Sequence, residues 1–167
     1  MPEPRAEQPT PLRLSAWLPY RLFIVAAQVA RPLEAFYVER FGLSQAAWRV
    51  LAIVAERTGV SASEISRACA LDPFAVSRGI SQLIARGFVR RTTAKADRRY
   101  ASVTITAKGR AAFDEIAALA RVIESDLLAS LPAAERRSLD RALSALETAS
   151  ARIETAGWRS LIERAAS

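Results

Sequence analysis

Small, polar and cationic side chains recur at helical spacing between positions 75 and 86. They are Ala75, Ser77, Arg78, Gln82 and Arg86. A helix that enters the DNA major groove needs such a face, because bulky apolar groups would hold it away from the base edges. This spacing predicts a DNA-reading face. Its candidate contacts are Ala75, Ser77, Arg78 and Gln82.

A second group of charged side chains lies between two segments rich in β-forming residues. The segments are 88–93 and 100–105, and the charged residues between them are Lys95, Asp97, Arg98 and Arg99. Cations at the tip of a hairpin can reach into a narrow minor groove, where the negative potential of DNA is concentrated. Asp97 is expected to orient a neighbouring arginine through a charge-assisted hydrogen bond.

Two short helices are predicted to position the first group. The sequence Ser61-Ala62-Ser63-Glu64 matches a capping box, so one helix should begin there. Asp72-Pro73 predicts the start of the next helix, with Asp72 as the N-cap and the proline in the first turn. The residues of this helix that should face the core are Val76, Ile80 and Leu83. Two such helices followed by a basic hairpin form a winged helix-turn-helix.

The ordered residues from 72 to 109 resemble the DNA-binding core of the multiple antibiotic resistance regulator (MarR) family. The matching residues are Asp72, Val76-Ser77-Arg78, Leu83, Gly87-Phe88-Val89-Arg90-Arg91, Asp97-Arg98-Arg99, Ile105-Thr106 and Gly109. The resemblance implies that Ser77 and Arg78 lie on the recognition helix. It also implies that Arg99 enters the minor groove with Asp97 as its orienting partner. The sequence departs from the family at Pro132, where a serine or threonine cap is usual.

The composition favours a polyanionic partner and argues against catalysis. The 167 residues carry a formal charge of +7, and between positions 86 and 110 the cations are opposed by Asp97 alone. Such local clustering is typical of nucleic-acid binding, with a solvated basic surface as the alternative. The chain has no histidine, which removes the usual general base and the commonest metal ligand. We therefore expect no enzymatic activity, no metal site and no cofactor.

The number of cysteines and the hydropathy of the sequence indicate the cellular compartment of the protein. The single cysteine, Cys69, allows no intrachain disulfide, which fits a reducing cytoplasm. The N-terminal segment lacks the apolar core of a signal peptide, and the longest apolar run, 22–30, is too short to span a bilayer. We expect a cytoplasmic protein with no membrane partner. Cys69 is expected to be a buried structural thiol rather than an oxidant sensor.

Long helices are predicted on both sides of the winged helix-turn-helix. The first should run from about Pro19 to the residue before Gly42, with a kink at Pro32. The expected parts are an N-terminal arm (1–18), a dimerisation helix (19–43), the winged helix-turn-helix (44–106) and C-terminal dimerisation helices (107–167). The predicted fold class is mainly α with a small β-wing.

The apolar positions of the long helices predict an assembly. In the first helix they are Leu22, Ala26, Val29, Leu33 and Phe36, in steps of four and three. One small domain cannot bury all these faces, so we expect a two-fold homodimer through the terminal helices, as the family resemblance also implies. An intrachain bundle is the alternative. Two DNA readers related by a two-fold axis would face a pseudo-palindrome with half-sites ~10 base pairs apart.

The resemblance also implies a small-molecule effector, because members of the family commonly bind aromatic molecules beside the dimerisation helices. The segments 18–22 and 48–52 look like the branch that regulates aromatic-acid catabolism, whose members sense the acid or its coenzyme A thioester. Arg49 could pair with a carboxylate or phosphate, with Trp48 and Phe41 beside an aromatic ring. Alternatively, Trp48 is part of the core and Arg49 makes a surface ion pair.

Three arginines in the last long helix form a second candidate anion site. Its candidate residues are Arg136, Arg137 and Arg141. A solvated helix face explains the same three residues.

The functional hypothesis is a sequence-specific transcriptional regulator, a repressor released from double-stranded operator DNA by a small aromatic effector. The alternative is an architectural protein that binds DNA without sequence preference. The two differ in the ratio of specific to non-specific affinity, which is ~10³ or more for a regulator. The polar face predicted around Arg78 favours the regulator.

Overall fold

The computed structural model describes residues 11–93 and 101–165. Within these ranges the helices are α1 (Leu18–Phe41), α2 (Gln45–Glu56), α3 (Ala62–Cys69), α4 (Pro73–Ala85), α5 (Ala107–Leu128) and α6 (Ala133–Ala165). The strands are β1 (Val60–Ser61), β2 (Val89–Thr93) and β3 (Ala101–Ile105), and a short 3-10 turn lies at Leu14–Ala16. The predicted fold class, mainly α with a small β-wing, is confirmed. The candidate wing-tip contacts Lys95, Asp97, Arg98 and Arg99 lie outside the described residues.

The chain divides into two compact units, Met1–Ile123 and Glu124–Ser167. The first contains the winged helix-turn-helix, and the second contains α6. Among the described residues, no helix combines the length and the apolar character needed to cross a membrane.

The sheet has three antiparallel strands in the order β1-β3-β2. The predicted hairpin is present, with Val89 opposite Ile105 and Thr93 opposite Ala101. The sequence analysis missed β1, whose Val60 pairs with Val103. A two-residue strand is too short to show the alternation by which strands are predicted. It nevertheless ties the start of α3 to the wing.

Side-chain caps start three helices, and those of α3 and α4 lie where the sequence predicts them. Ser44 Oγ accepts a hydrogen bond from a backbone N–H in the first turn of α2 (3.2 Å). At the start of α4, Asp72 Oδ1 accepts from the Ala75 N–H at 2.8 Å. Ser61 and Glu64 form the expected reciprocal capping box at α3. The hydrogen bonds from Ser61 hold the pKa of the Glu64 carboxyl below its usual value.

The first turn of α5 lies directly against the start of β2. Thr106 Oγ1 accepts from the Gly109 N–H at 3.0 Å and lies 2.7 Å from the Gly87 carbonyl oxygen, to which it donates. A Cβ at Gly109 would overlap the carbonyl oxygen of Phe88. The glycine therefore allows the first turn of α5 to lie against the start of β2.

The core of the first unit lies between α2, α3, α4 and the sheet. Its fully buried side chains include Val50, Leu51, Ile65, Val76, Ile80 and Leu83. The three core positions predicted for α4 are thus confirmed. Gly79 brings α4 close to α2, because a Cβ there would lie only 3.2 Å from Val50 Cγ2.

Helix α1 joins this core through its C-terminal half. Tyr37 is buried, and Leu33, Phe36 and Phe41 pack against the core partly buried. The helix continues through Pro32 and ends before Gly42, as the sequence predicts. Gly42 has a left-handed φ of 58° and forms the C-cap. The N-terminal half of α1 leaves large apolar side chains exposed. These are Leu18, Tyr20, Leu22, Phe23 and Val25.

Helix α6 begins directly after Pro132, whose carbonyl accepts from the N–H groups of Glu135 and Arg136. The proline therefore does not prevent the helix from starting. Gly157, with φ 70° and ψ 163°, interrupts α6. No residue of α6 is buried. Its exposed apolar side chains include Leu139, Leu143, Leu146 and Ile153, which we call the α6 stripe.

Candidate nucleic-acid interface

Helix α4 has one face fixed in the core and one face free. At about 100° per residue, Phe74, Arg78 and Ser81 fall on the side opposite the buried core residues. All three are exposed, and Ser77 is exposed at the margin of the same face. We call Phe74, Ser77, Arg78 and Ser81 the free face. The arrangement leaves α4 able to approach DNA without disturbing its packing.

An aromatic ring lies at the centre of the free face. Phe74 is 70% exposed, and the Arg78 Cζ lies 5.3 Å from its ring centroid, a cation–π contact across one helical turn. The residue types predicted for this face are small, polar or cationic, and Phe74 and Ser81 are not among the predicted contacts. The sequence signal for Phe74 was its position four residues before Arg78.

The structure corrects the placement of Gln82, which the sequence analysis assigned to the DNA-reading face. The Gln82 amide lies in the turn between α1 and α2. Its Nε2 donates to the Gly42 carbonyl (3.0 Å), and its Oε1 accepts from Ser44 N (3.1 Å) and Ser44 Oγ (2.9 Å). These hydrogen bonds occupy the amide and tie α4 to the end of α1.

Ala75 and Arg86 lie on the same flank of α4 as Gln82. Ala75 is half-buried, and its N–H is used by the Asp72 cap. The Arg86 guanidinium lies against Gly42, and the Arg86 carbonyl accepts from Lys108 Nζ at 2.9 Å. Arg86 therefore faces the α1–α2 turn rather than the centre of the free face.

The described part of the wing carries exposed cations. Arg90 and Arg91 are exposed on β2, and Arg90 Nε donates to Thr104 Oγ1 on β3 at 3.1 Å. This cross-strand bond fixes one guanidinium on the surface of the hairpin. The strands thus lead toward the tip with positive charge on their surface.

Two of the predicted effector residues take part in aromatic packing. The Trp48 ring stacks with those of Tyr37 (5.8 Å) and Phe113 (6.0 Å). Phe41 makes edge contacts with Phe36 and Phe88, each at 6.1 Å. Both side chains are half-buried against the core. This packing favours the structural interpretation that the sequence left open for Trp48.

Arg49 is exposed on α2, between two groups whose pKa values are raised. Burial raises the pKa of Tyr37 and the nearby Glu34 carboxylate adds to it, while Arg49 partly offsets the shift. Burial also raises the pKa of the Cys69 thiol, again partly offset by Arg49. The thiol donates to the Arg49 carbonyl at 3.5 Å. Cys69 is half-buried rather than buried as expected, and its hydrogen bond to the Arg49 carbonyl fits a structural role.

Two arginines of the second anion-site candidate make local hydrogen bonds. Arg136 Nε donates to the Leu131 carbonyl (2.8 Å), and Arg141 donates to Ser138 Oγ (3.0 Å). These contacts fit the solvated helix face. Among residues 11–93 and 101–165, no group of three or more cysteine or acidic side chains could hold a metal ion.

Comparison with known proteins identifies the family. The family model described as MarR family matches residues 41–99. The HTH-type transcriptional repressor Rv2887 of Mycobacterium tuberculosis is 30% identical over 129 residues, which cover 77% of this chain and 92% of that protein. These relatives are transcriptional regulators rather than enzymes.

Solved structures share the fold. BpsR of Bordetella bronchiseptica, whose DNA binding is regulated by 6-hydroxynicotinic acid, is 25% identical with a TM-score of 0.71, covering 83% of this chain and 98% of that one. CouR of Rhodococcus jostii RHA1, solved bound to p-coumaroyl-CoA, is 23% identical with a TM-score of 0.70, covering 81% and 95%. With the family model and the repressor, they lead to one conclusion: the chain belongs to the MarR family of transcriptional regulators.

Proposed function

We propose that this protein is a dimeric, sequence-specific repressor that leaves its operator when a small aromatic acid or its coenzyme A thioester binds. The observation that carries the proposal is the free face of α4. Ser77 and Arg78 are exposed there, while the other side of the helix is buried completely. A helix held in this way can present hydrogen-bond donors to base edges in a fixed orientation.

The proposed DNA contacts of α4 and of the wing lie in different grooves. Ser77 and Arg78 contact bases in the major groove, and the half-buried Ala75 lies at the edge of the interface, on the flank next to Arg78. Lys95, Arg98 and Arg99 reach the minor groove, with Asp97 orienting Arg99. Such a regulator acts on the chromosome, which places it in the cytoplasm.

Exposed apolar surface supports the dimer. In the first unit, Leu22 and Phe23 of α1 are 43% and 64% exposed. In the second unit, the α6 stripe is 39–53% exposed and extends over about four turns of helix. Apolar side chains in such rows are typical of an interface between protein chains. A two-fold dimer through these helices would set two α4 helices against a pseudo-palindromic operator, with half-sites ~10 base pairs apart.

Two observations support an aromatic effector: the ligands of related proteins and the exposed side chain of Arg49. The DNA binding of BpsR is regulated by an aromatic acid, and CouR holds a coenzyme A thioester. In this chain the exposed Arg49 side chain would pair with the acid or phosphate group. Phe41 and Trp48 would contribute ring edges from their packed positions.

A DNA-binding titration with effectors tests the proposal. The protein is titrated at about 150 mM salt against its own upstream intergenic region and a random duplex of equal length. Each titration is repeated with 6-hydroxynicotinic acid, other aromatic acids and their thioesters. We expect the upstream region to bind ~10³-fold more tightly than the random duplex, and one effector class to release it.

Variants separate DNA binding from effector response. Arg49→Ala should keep the affinity for DNA and lose release by the effector. Arg57→Ala, which removes an exposed cation at the other end of α2, should keep both. Equal and steeply salt-dependent binding to both duplexes would instead make the protein an architectural DNA-binding protein.

A further inference from the structure

The exposed phenylalanine of α4 has no role in the fold. Phe74 is 70% exposed, although an aromatic side chain usually contributes its area to a core or an interface. It lies in the first turn of α4 beside the Asp72 cap. The N-terminal residues of a recognition helix are those that contact base edges. Phe74 is therefore placed where a base-reading residue would be, with an apolar group instead of a hydrogen-bonding one.

The cation beside the ring narrows what Phe74 can contact. The Arg78 Cζ lies 5.3 Å from the ring centroid, so both side chains point to the same side of α4. The two residues are separated by one turn, about 6 Å along the helix axis. Successive base pairs are about 3.4 Å apart. The two side chains thus reach bases that are adjacent or one pair apart.

Base chemistry then selects the partner of each side chain. Arginine pairs with the O6 and N7 acceptors of guanine, whereas the apolar group that the major groove offers to a phenyl ring is the C5-methyl of thymine. We propose that Phe74 is a specificity-determining residue that reads a thymine methyl group within two base pairs of the guanine read by Arg78. This inference rests on the proposed regulatory function.

The same geometry predicts that Phe74 also recognises 5-methylcytosine. A 5-methylcytosine carries its methyl group at the same place in the major groove as thymine does. Because a phenyl ring makes no hydrogen bond to the exocyclic group, Phe74 should accept either base. Unmethylated cytosine lacks the methyl group and should be rejected in the same way as deoxyuridine.

Selection and base substitution test the proposal. Duplexes are selected from a random pool with the full-length wild type. Each thymine of the enriched site is then replaced in turn by deoxyuridine, which removes only the methyl group. At one thymine per half-site, we expect wild-type affinity to fall about fourfold, the value for one buried methyl group. With 5-methylcytosine there, affinity should stay within about twofold of the thymine site, whereas cytosine should cost about fourfold.

The Phe74→Ala variant supplies the matched comparison. Because Phe74 is exposed, this variant should fold normally. It should bind thymine and deoxyuridine sites equally, while Phe74→Leu, which keeps an apolar side chain, should retain part of the difference. Wild-type binding unchanged by every deoxyuridine, or an equal loss in wild type and Phe74→Ala, would overturn the proposal and leave the regulatory function standing. Enrichment of no sequence would overturn both.

Discussion

Gln82 shows how one side chain can hold the recognition helix in place. Its amide makes three hydrogen bonds to the Gly42 carbonyl and to the backbone and hydroxyl of Ser44. These two residues end α1 and begin α2. Together with the Arg86 guanidinium, which lies against Gly42, this amide links the orientation of α4 to the end of α1.

Replacement of Gln82 by alanine should lower stability without changing base preference. The Ser44 N–H and the Gly42 carbonyl would lose their partners, a loss of about 1 kcal/mol because the site is partly solvated. Urea unfolding measures this change. Ser81→Ala, on the free face of the same helix, serves as the control and should stay within about 0.5 kcal/mol. A changed base preference at unchanged stability would restore Gln82 to the DNA contacts.

At the scale of elements, local signals made most of the fold predictable. The caps at Ser44, Ser61 and Asp72 are each complete within four residues, and those at Ser61 and Asp72 start helices where expected. The side chain of Gln82 was misplaced because it lies about 80° from Phe74 around α4, at the margin between the free and buried faces. Only the position of the α1–α2 turn decides which way such a side chain points. The position of this turn is set by tertiary packing, which the apolar periodicity of α4 does not reveal.

The junction of the wing with α5 depends on the absence of a side chain at Gly109. In an unconstrained helix, Gly→Ala stabilises by about 1 kcal/mol. Here the new Cβ would overlap the Phe88 carbonyl oxygen, so Gly109→Ala should instead destabilise by about 1–3 kcal/mol. Thermal or urea unfolding measures the sign. Stabilisation of the variant would contradict the close approach of α5 to β2.

Clustered positive charge and exposed apolar side chains lie in different segments of the chain. The net charge of +7 includes a cluster of cations in and around the wing, whereas large apolar side chains are exposed on α1 and along α6. The first property suits a polyanion and the second suits another protein chain. A DNA-binding dimer accounts for both properties.

The dimer can be tested on the α6 stripe. Leu143 is 41% exposed, and Leu143→Asp would place a charge within the proposed interface. We expect this variant to sediment as a monomer and to lose operator affinity, because one half-site then binds alone. Thr148→Asp adds the same charge on the opposite side of α6 and should remain dimeric. A wild type that is monomeric at micromolar concentration would refute the assembly.

The binding of Arg78→Ala to operator variants shows whether the free face of α4 reads base sequence. Affinities for the selected site and for a set of single base-pair variants are measured for wild type and Arg78→Ala at one salt concentration. We predict that the wild type loses about 1–3 kcal/mol of binding free energy when the guanine read by Arg78 is replaced. Arg78→Ala should bind all these duplexes with nearly equal, weaker affinity. Alternatively, Arg78→Ala could weaken binding by the same factor on every duplex and keep the wild-type preferences. Arg78 would then contact phosphate only, and this result would contradict base reading by the free face of α4.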